Sequence, residues 1–178
     1  MKSGRWQVAS GKFASGRRQV ADGWILLTVY CLLLTFLAAC GSAGAMDEPP
    51  EIRYGQDVCD QCGMIISEAR FAASYVTTQG DVRRFESISD MLVYHQQQQE
   101  EVHIFWVHDY ETEEWLRADE AFFVLSEEII TPMGPGMLAT AAEATADTLA
   151  TQKHGTVLSF DALMAMARTG ELEVHGHH

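Results

Sequence analysis

Apolar and polar residues alternate through Phe71–Thr77 (FAASYVT), the spacing of a strand with one buried face. Gln79-Gly80-Asp81 reads as a turn, and Val82–Glu86 (VRRFE) as the returning arm of a hairpin. Ser87 and Asp90 then stand as an N-cap and the acid three residues on. Ile88, Met91, Leu92 and His95 fall on one helical face, and the glutamine run Gln96–Gln99 ends that helix in water. Val102–Tyr110 is a third, strongly apolar strand.

The same order returns further on. Ala121–Leu125 (AFFVL) predicts a strand, and Thr131–Ala141 (TPMGPGMLATA) a Pro/Gly loop running into another. Ala142–Lys153 is rich in helix formers and stops at Gly155. Thr156–Phe160 predicts a short strand, followed by a helix capped by Ser159 and ended at Gly170. The pattern is an α+β chain of two similar ββαβ units in tandem, over residues 58–112 and 113–170, with a His-containing tail at 171–178.

The hydrophobic pattern upstream is of another kind. Residues 24–39 (WILLTVYCLLLTFLAA) form a continuous apolar run behind Lys12, Arg17 and Arg18. A spanning helix needs about 20 apolar residues, so this run, followed by small residues, reads as a signal peptide over 1–39. Leu37-Ala38-Ala39-Cys40-Gly41 has the form of a lipobox, which makes Cys40 the lipidated first residue of the mature chain. Residues 40–57, acidic with two prolines, read as a flexible tether. The protein is then held outside the cytoplasm, on the cytoplasmic membrane's outer face or the outer membrane.

Five of the 12 basic residues and one of the 25 acidic ones precede Cys40, leaving 7 against 24 and a formal charge of −17. That balance excludes nucleic acid as a natural partner and favours cations or a basic protein surface. No motif of a hydrolase, zinc protease or phosphate-binding loop is present.

Chemistry concentrates in Val58–Ser67 (VCDQCGMIIS). Three meanings are open for Cys59 and Cys62. A thiol–disulfide oxidoreductase would place the pair at a helix start after a strand, and Gly63 with two isoleucines nucleates a helix poorly. A structural zinc site needs two more ligands; there is no second knuckle, and His103 and His108 point to opposite faces of their strand. A soft ion such as copper(I) suits thiolate and thioether together, and Cys62-Gly63-Met64 sets one of each on the same side of an extended segment. Met133 and Met137 lie beside glycines in the Pro/Gly loop; Met91, Met164 and Met166 read as core.

Taken together, CDQCGMIIS, RFAASYVTTQGDVRRFESISDML and FWVHDYETEEWLRADEAFFVLSEEIITPMGPGMLA resemble the NosL family of copper-binding lipoproteins, which serve nitrous-oxide reductase maturation. The resemblance runs from about Cys59 to Ala142, and more loosely to Ala167. It implies an outward-facing, non-enzymatic chain of two ββαβ units that binds copper(I). Implied partners are nitrous-oxide reductase and an ABC-type maturation complex. By position, the family's Cys-x-Met element falls on Cys62 and Met64, and its Met-Gly loop methionine on Met133. Cys59 is a departure from members with one cysteine there. It is a second thiolate ligand or the partner in a regulatory disulfide. The segment after the Met-Gly loop also departs, reading GMLATA where many members carry an aromatic.

Overall fold

The computed structural model describes residues 46–172. The signal segment, Cys40 and the tail histidines His175, His177 and His178 lie outside the described residues. The first unit is β1 (Ala73–Thr77), β2 (Val82–Phe85), α1 (Ile88–Gln98) and β3 (Val102–His108), with a short β4 (Trp115–Arg117). The second is β5 (Phe122–Thr131), β6 (Gly134–Thr140), α2 (Glu143–Gln152) and β7 (Thr156–Ser159), followed by α3 (Phe160–Thr169). The first sheet has the order β2-β1-β3-β4 and the second β6-β5-β7. In both, the first strand is central and pairs antiparallel with the second and third. The two ββαβ units expected from the pattern are therefore present, with one topology.

Capping chemistry sets the helix ends. Ser87 Oγ accepts from Asp90 N–H at 3.1 Å, and Ser159 Oγ from Ala162 N–H at 3.3 Å. Gly170 closes α3 at φ 77°, a left-handed position that costs glycine little.

Strand alternation divides the core. Phe123 on β5 faces a large core shared by both units, with Tyr75, Phe85, Met91, Leu92, Val107 and Leu163. Its neighbour Val124 faces the other way, against Leu138, Ala146 and Leu149 beneath α2. On the outer face of the first sheet Val76, Ile104 and Trp106 form a third cluster, and Met46 packs onto it. Asp47 meets His103 Nε2 at 2.8 Å, Arg84 Nε donates to the Glu51 carbonyl at 2.9 Å, and Ile52 is buried. The stretch read as tether is thus laid against the sheet from Met46 onward, because Met46 and Ile52 are apolar in an otherwise polar segment.

Two further segments differ from the sequence pattern. The Pro/Gly loop is a tight hairpin: β5 continues to Thr131, turns through Pro132 and Met133, and returns as β6. Gly136 is required in β6, since a Cβ there would lie 2.9 Å from Thr131 Cγ2. The β6 register also puts Met137 opposite Leu125 and buries it in the core, so it is not a loop residue. The stretch Val102–Tyr110, read as one strand, ends its strand at His108, before the acidic run. Asp109 is buried and accepts from the N–H groups of Glu111, Thr112 and Ala141, tying the first unit to β6. Burial raises its pKa, but the three N–H bonds outweigh this and hold the carboxylate below its usual range.

His108 lies inside the fold, stacked on Trp115 with ring centroids 3.6 Å apart. Its Nδ1–H donates to the Ala72 carbonyl at 3.0 Å, leaving Nε2 to accept from the Tyr54 hydroxyl at 3.1 Å. Burial pushes its pKa down. The unfolded chain therefore binds more protons than the folded one below about pH 6.5, and stability falls as pH drops through that value. His95, also lowered by burial, adds the same sign. The melting temperature is expected to fall between about pH 7.5 and pH 5.5, and His108→Gln to flatten that slope. An unchanged slope in the variant would remove His108 from the account.

Candidate metal centre

Val58 and Ile65 pair in an isolated antiparallel bridge, and Cys59–Met64 forms the loop that closes it. Cys59 N–H donates to the Met64 carbonyl at 2.8 Å, and Gly63 N–H to the Cys59 carbonyl at 3.0 Å. Gly63 at φ 74° makes the turn. The loop is fastened to the first sheet on both sides. Asp60 Oδ2 accepts from Arg84 N–H at 2.7 Å, and Asp60 N–H donates to the Arg84 carbonyl at 2.9 Å. Beyond the bridge, Ser67 N–H and Oγ donate to the Glu86 carboxylate at 2.8 and 2.7 Å.

This fastening sets the loop over the N-terminus of α1. The ligand atoms of Cys59, Cys62 and Asp90 all lie within 4.8 Å of one another. Cys59 is 2% exposed, and its thiol donates to Asp90 Oδ2 at 3.3 Å. Cys62 is half-buried, and its N–H points to Cys59 Sγ at 3.5 Å. Both are free thiols. Burial pushes both thiols up, and the Asp90 charge adds to this. Opposing it, backbone N–H groups of Cys62 and Glu86 face the Cys59 sulfur, and that of Met64 faces Cys62. Such a site holds protons until a cation replaces them, and then has N–H donors ready for the thiolates.

Met64 is 40% exposed at the rim of this loop. Met133 is half-buried at the β5–β6 turn of the second unit, where Thr131 Oγ1 accepts its N–H at 3.1 Å. The structure therefore draws Cys59 and Cys62 together. Met64 adjoins them in the chain, whereas Met133 stands at the β5–β6 turn of the second unit. Nothing in the sequence pattern marks Asp90 or Glu86 as neighbours of the thiol loop. Asp90 satisfies the helix-cap pattern, which conceals its approach to Cys59, although a nearly fully buried capping acid needs a partner beyond the cap. Glu86 follows β2 without any motif.

The family model described as NosL matches residues 52–167, which include the thiol loop, Asp90 and both units. The chain belongs to the NosL family. The copper-binding lipoprotein NosL of Stutzerimonas stutzeri is 26% identical over 149 residues, covering 76% of this chain and 78% of that protein. The crystal structure of the copper chaperone NosL from Shewanella denitrificans matches at a TM-score of 0.53 and 22% identity. That alignment covers 64% of this chain and 96% of the other, and it establishes the NosL fold for the two-sheet architecture described above.

Proposed function

We propose that this chain is an extracytoplasmic, lipid-anchored carrier that binds copper(I) and hands it to a cuproenzyme. The observation that carries the reading is the convergence of Cys59, Cys62 and Asp90 on one small volume beside the exposed Met64. Two thiolates and a thioether select a soft monovalent ion. Cys62 anchors it, Cys59 is the second thiolate, and Met64 and Met133 supply thioethers; Asp90 offers an oxygen and balances charge. Burial of Cys59 makes the site retentive, while exposure of Met64 leaves a side from which a recipient's ligands can enter. The names of the two relatives support copper as the cargo. Cys40 holds the anchor, and among the described residues no helix is long and apolar enough to cross a membrane. The recipient of this reading is nitrous-oxide reductase, reached with its ABC-type maturation complex.

The second reading is thiol–disulfide exchange by Cys59 and Cys62. The pair sits in a hairpin loop rather than at a helix start, and its thiols are pushed up rather than down. Both facts disfavour an attacking thiolate. Met64→Ala separates the two. Under anaerobic titration against a competing chelator, a thioether ligand's loss is expected to weaken copper(I) binding about tenfold or more. A dithiol exchanger keeps its reduction potential and rate in the same variant. Wild-type protein that takes no copper(I) from the chelator would sink the carrier reading.

A further inference from the structure

Large apolar side chains left in water are scattered on most surfaces. Here they are concentrated. Of the five exposed among the described residues, Tyr54, Val58, Met64 and Ile65 belong to one stretch, and only Ile130 lies elsewhere. Val58 is 53% and Ile65 54% exposed. The two face each other directly across the bridge that carries the thiol loop. The flanking bonds, Cys59 N–H to Met64 O and Ile66 N–H to Asp57 O, make them a non-hydrogen-bonded pair, the closer of the two antiparallel geometries. Their side chains therefore form one continuous apolar surface.

That surface is built rather than loose. Ile66, next to Ile65, is fully buried, Gly55 N–H donates to its carbonyl at 2.8 Å, and Arg53 grips Asp57 through its side chain and backbone. Folding has fixed the pair in place and left it facing out. The rim is negative. Glu51, Asp60 and Glu68 are exposed, and with Asp57 they set four acids against the two arginines drawn to Asp57, Arg53 and Arg84.

We infer that Val58 and Ile65 are the centre of a docking surface for a protein partner that presents an apolar patch ringed by basic residues. This rests on the copper-carrier reading and names the chemistry of the surface through which the cargo leaves. An anionic bilayer and a second copy of this chain are the other possible occupants, and each would set negative charge against the acidic rim. A basic-rimmed protein satisfies both halves of the surface, and its own ligands arrive beside Met64.

The test uses the full chain in phosphatidylcholine nanodiscs, metal-free and copper-loaded, with copper-free nitrous-oxide reductase and its solubilised ABC-type complex as probes. Val58→Ser/Ile65→Ser is expected to weaken binding of the partner by about tenfold or more, as loss of a central apolar anchor does. Copper(I) affinity stays within about twofold and the thermal melt is kept, which shows the loop is intact. Ile65→Leu retains binding, and Ile130→Ser is without effect. Raising salt from about 50 to about 300 mM weakens the wild type, as an acidic rim requires. Equal binding by wild type and double variant overturns the inference, as does no saturable binding of wild type to either probe. So does vesicle binding or dimer formation that the double variant abolishes. Because docking is also measured metal-free, a wild type that binds partner but no copper(I) defeats the carrier reading alone.

Discussion

Cys62→Ser is expected to weaken copper(I) binding by at least about 10³-fold, roughly 4 kcal/mol, while the fold stays intact. Serine is close in size, so the half-buried position is filled and the Met64 N–H keeps an acceptor. A hydroxyl, however, is a hard and protonated ligand where the ion wants a polarisable thiolate. The wild type should also release protons as it loads, because both thiols are held protonated by burial in the metal-free protein. Its affinity should therefore fall as pH is lowered, and Cys62→Ser should release fewer protons per ion. Chelator competition at two pH values, with proton release followed in weak buffer, checks both statements. Affinity retained within about tenfold in the variant would remove Cys62 as the anchoring ligand.

Phe85→Ala is expected to cost about 3–5 kcal/mol of folding stability. Phe85 is completely buried between Tyr75 and Tyr94, with ring centroids 5.5 and 5.4 Å away. Removing the ring leaves a cavity that β1 and α1 close only in part. The melting temperature should drop by roughly 10–20 °C for a domain of this size. The residues on either side of Phe85 fasten the thiol loop, Arg84 to Asp60 and Glu86 to Ser67. The damage should thus reach the site. Saturating copper(I) binds only the folded chain and should recover part of the loss. A drop under about 1 kcal/mol would mean that the large core does not depend on this ring.

How much of this was readable in the sequence depends on the range of the interaction. The doubled ββαβ order follows from local alternation and from two serine caps, and both are local properties. β4, three residues at a sheet edge, is too short to show a period. The Pro/Gly stretch hid a hairpin because prolines and glycines mark turns and irregular strands alike. Cys59, Cys62 and Met64 stand out because three soft side chains this close in sequence are uncommon, and the structure adds the closeness of the two thiols. Asp90 does not stand out, since its approach to Cys59 is made by tertiary packing across 31 residues. Met133 rests on resemblance, and its place in a ligand set remains part of the proposal.

The docking of Met46 on the first sheet sets a mechanical limit. Between an anchor at Cys40 and that contact run only Gly41–Ala45. Six fully extended Cα steps reach about 20 Å. On the proposed reading, in which Cys40 carries the anchor, the carrier works close to the membrane surface. Its encounters become a search in two dimensions, and a membrane-bound recipient meets it at an effective concentration that release from the anchor would abolish. Inserting a long Gly/Ser spacer before Met46 should then slow delivery in the membrane without touching the affinity of the site.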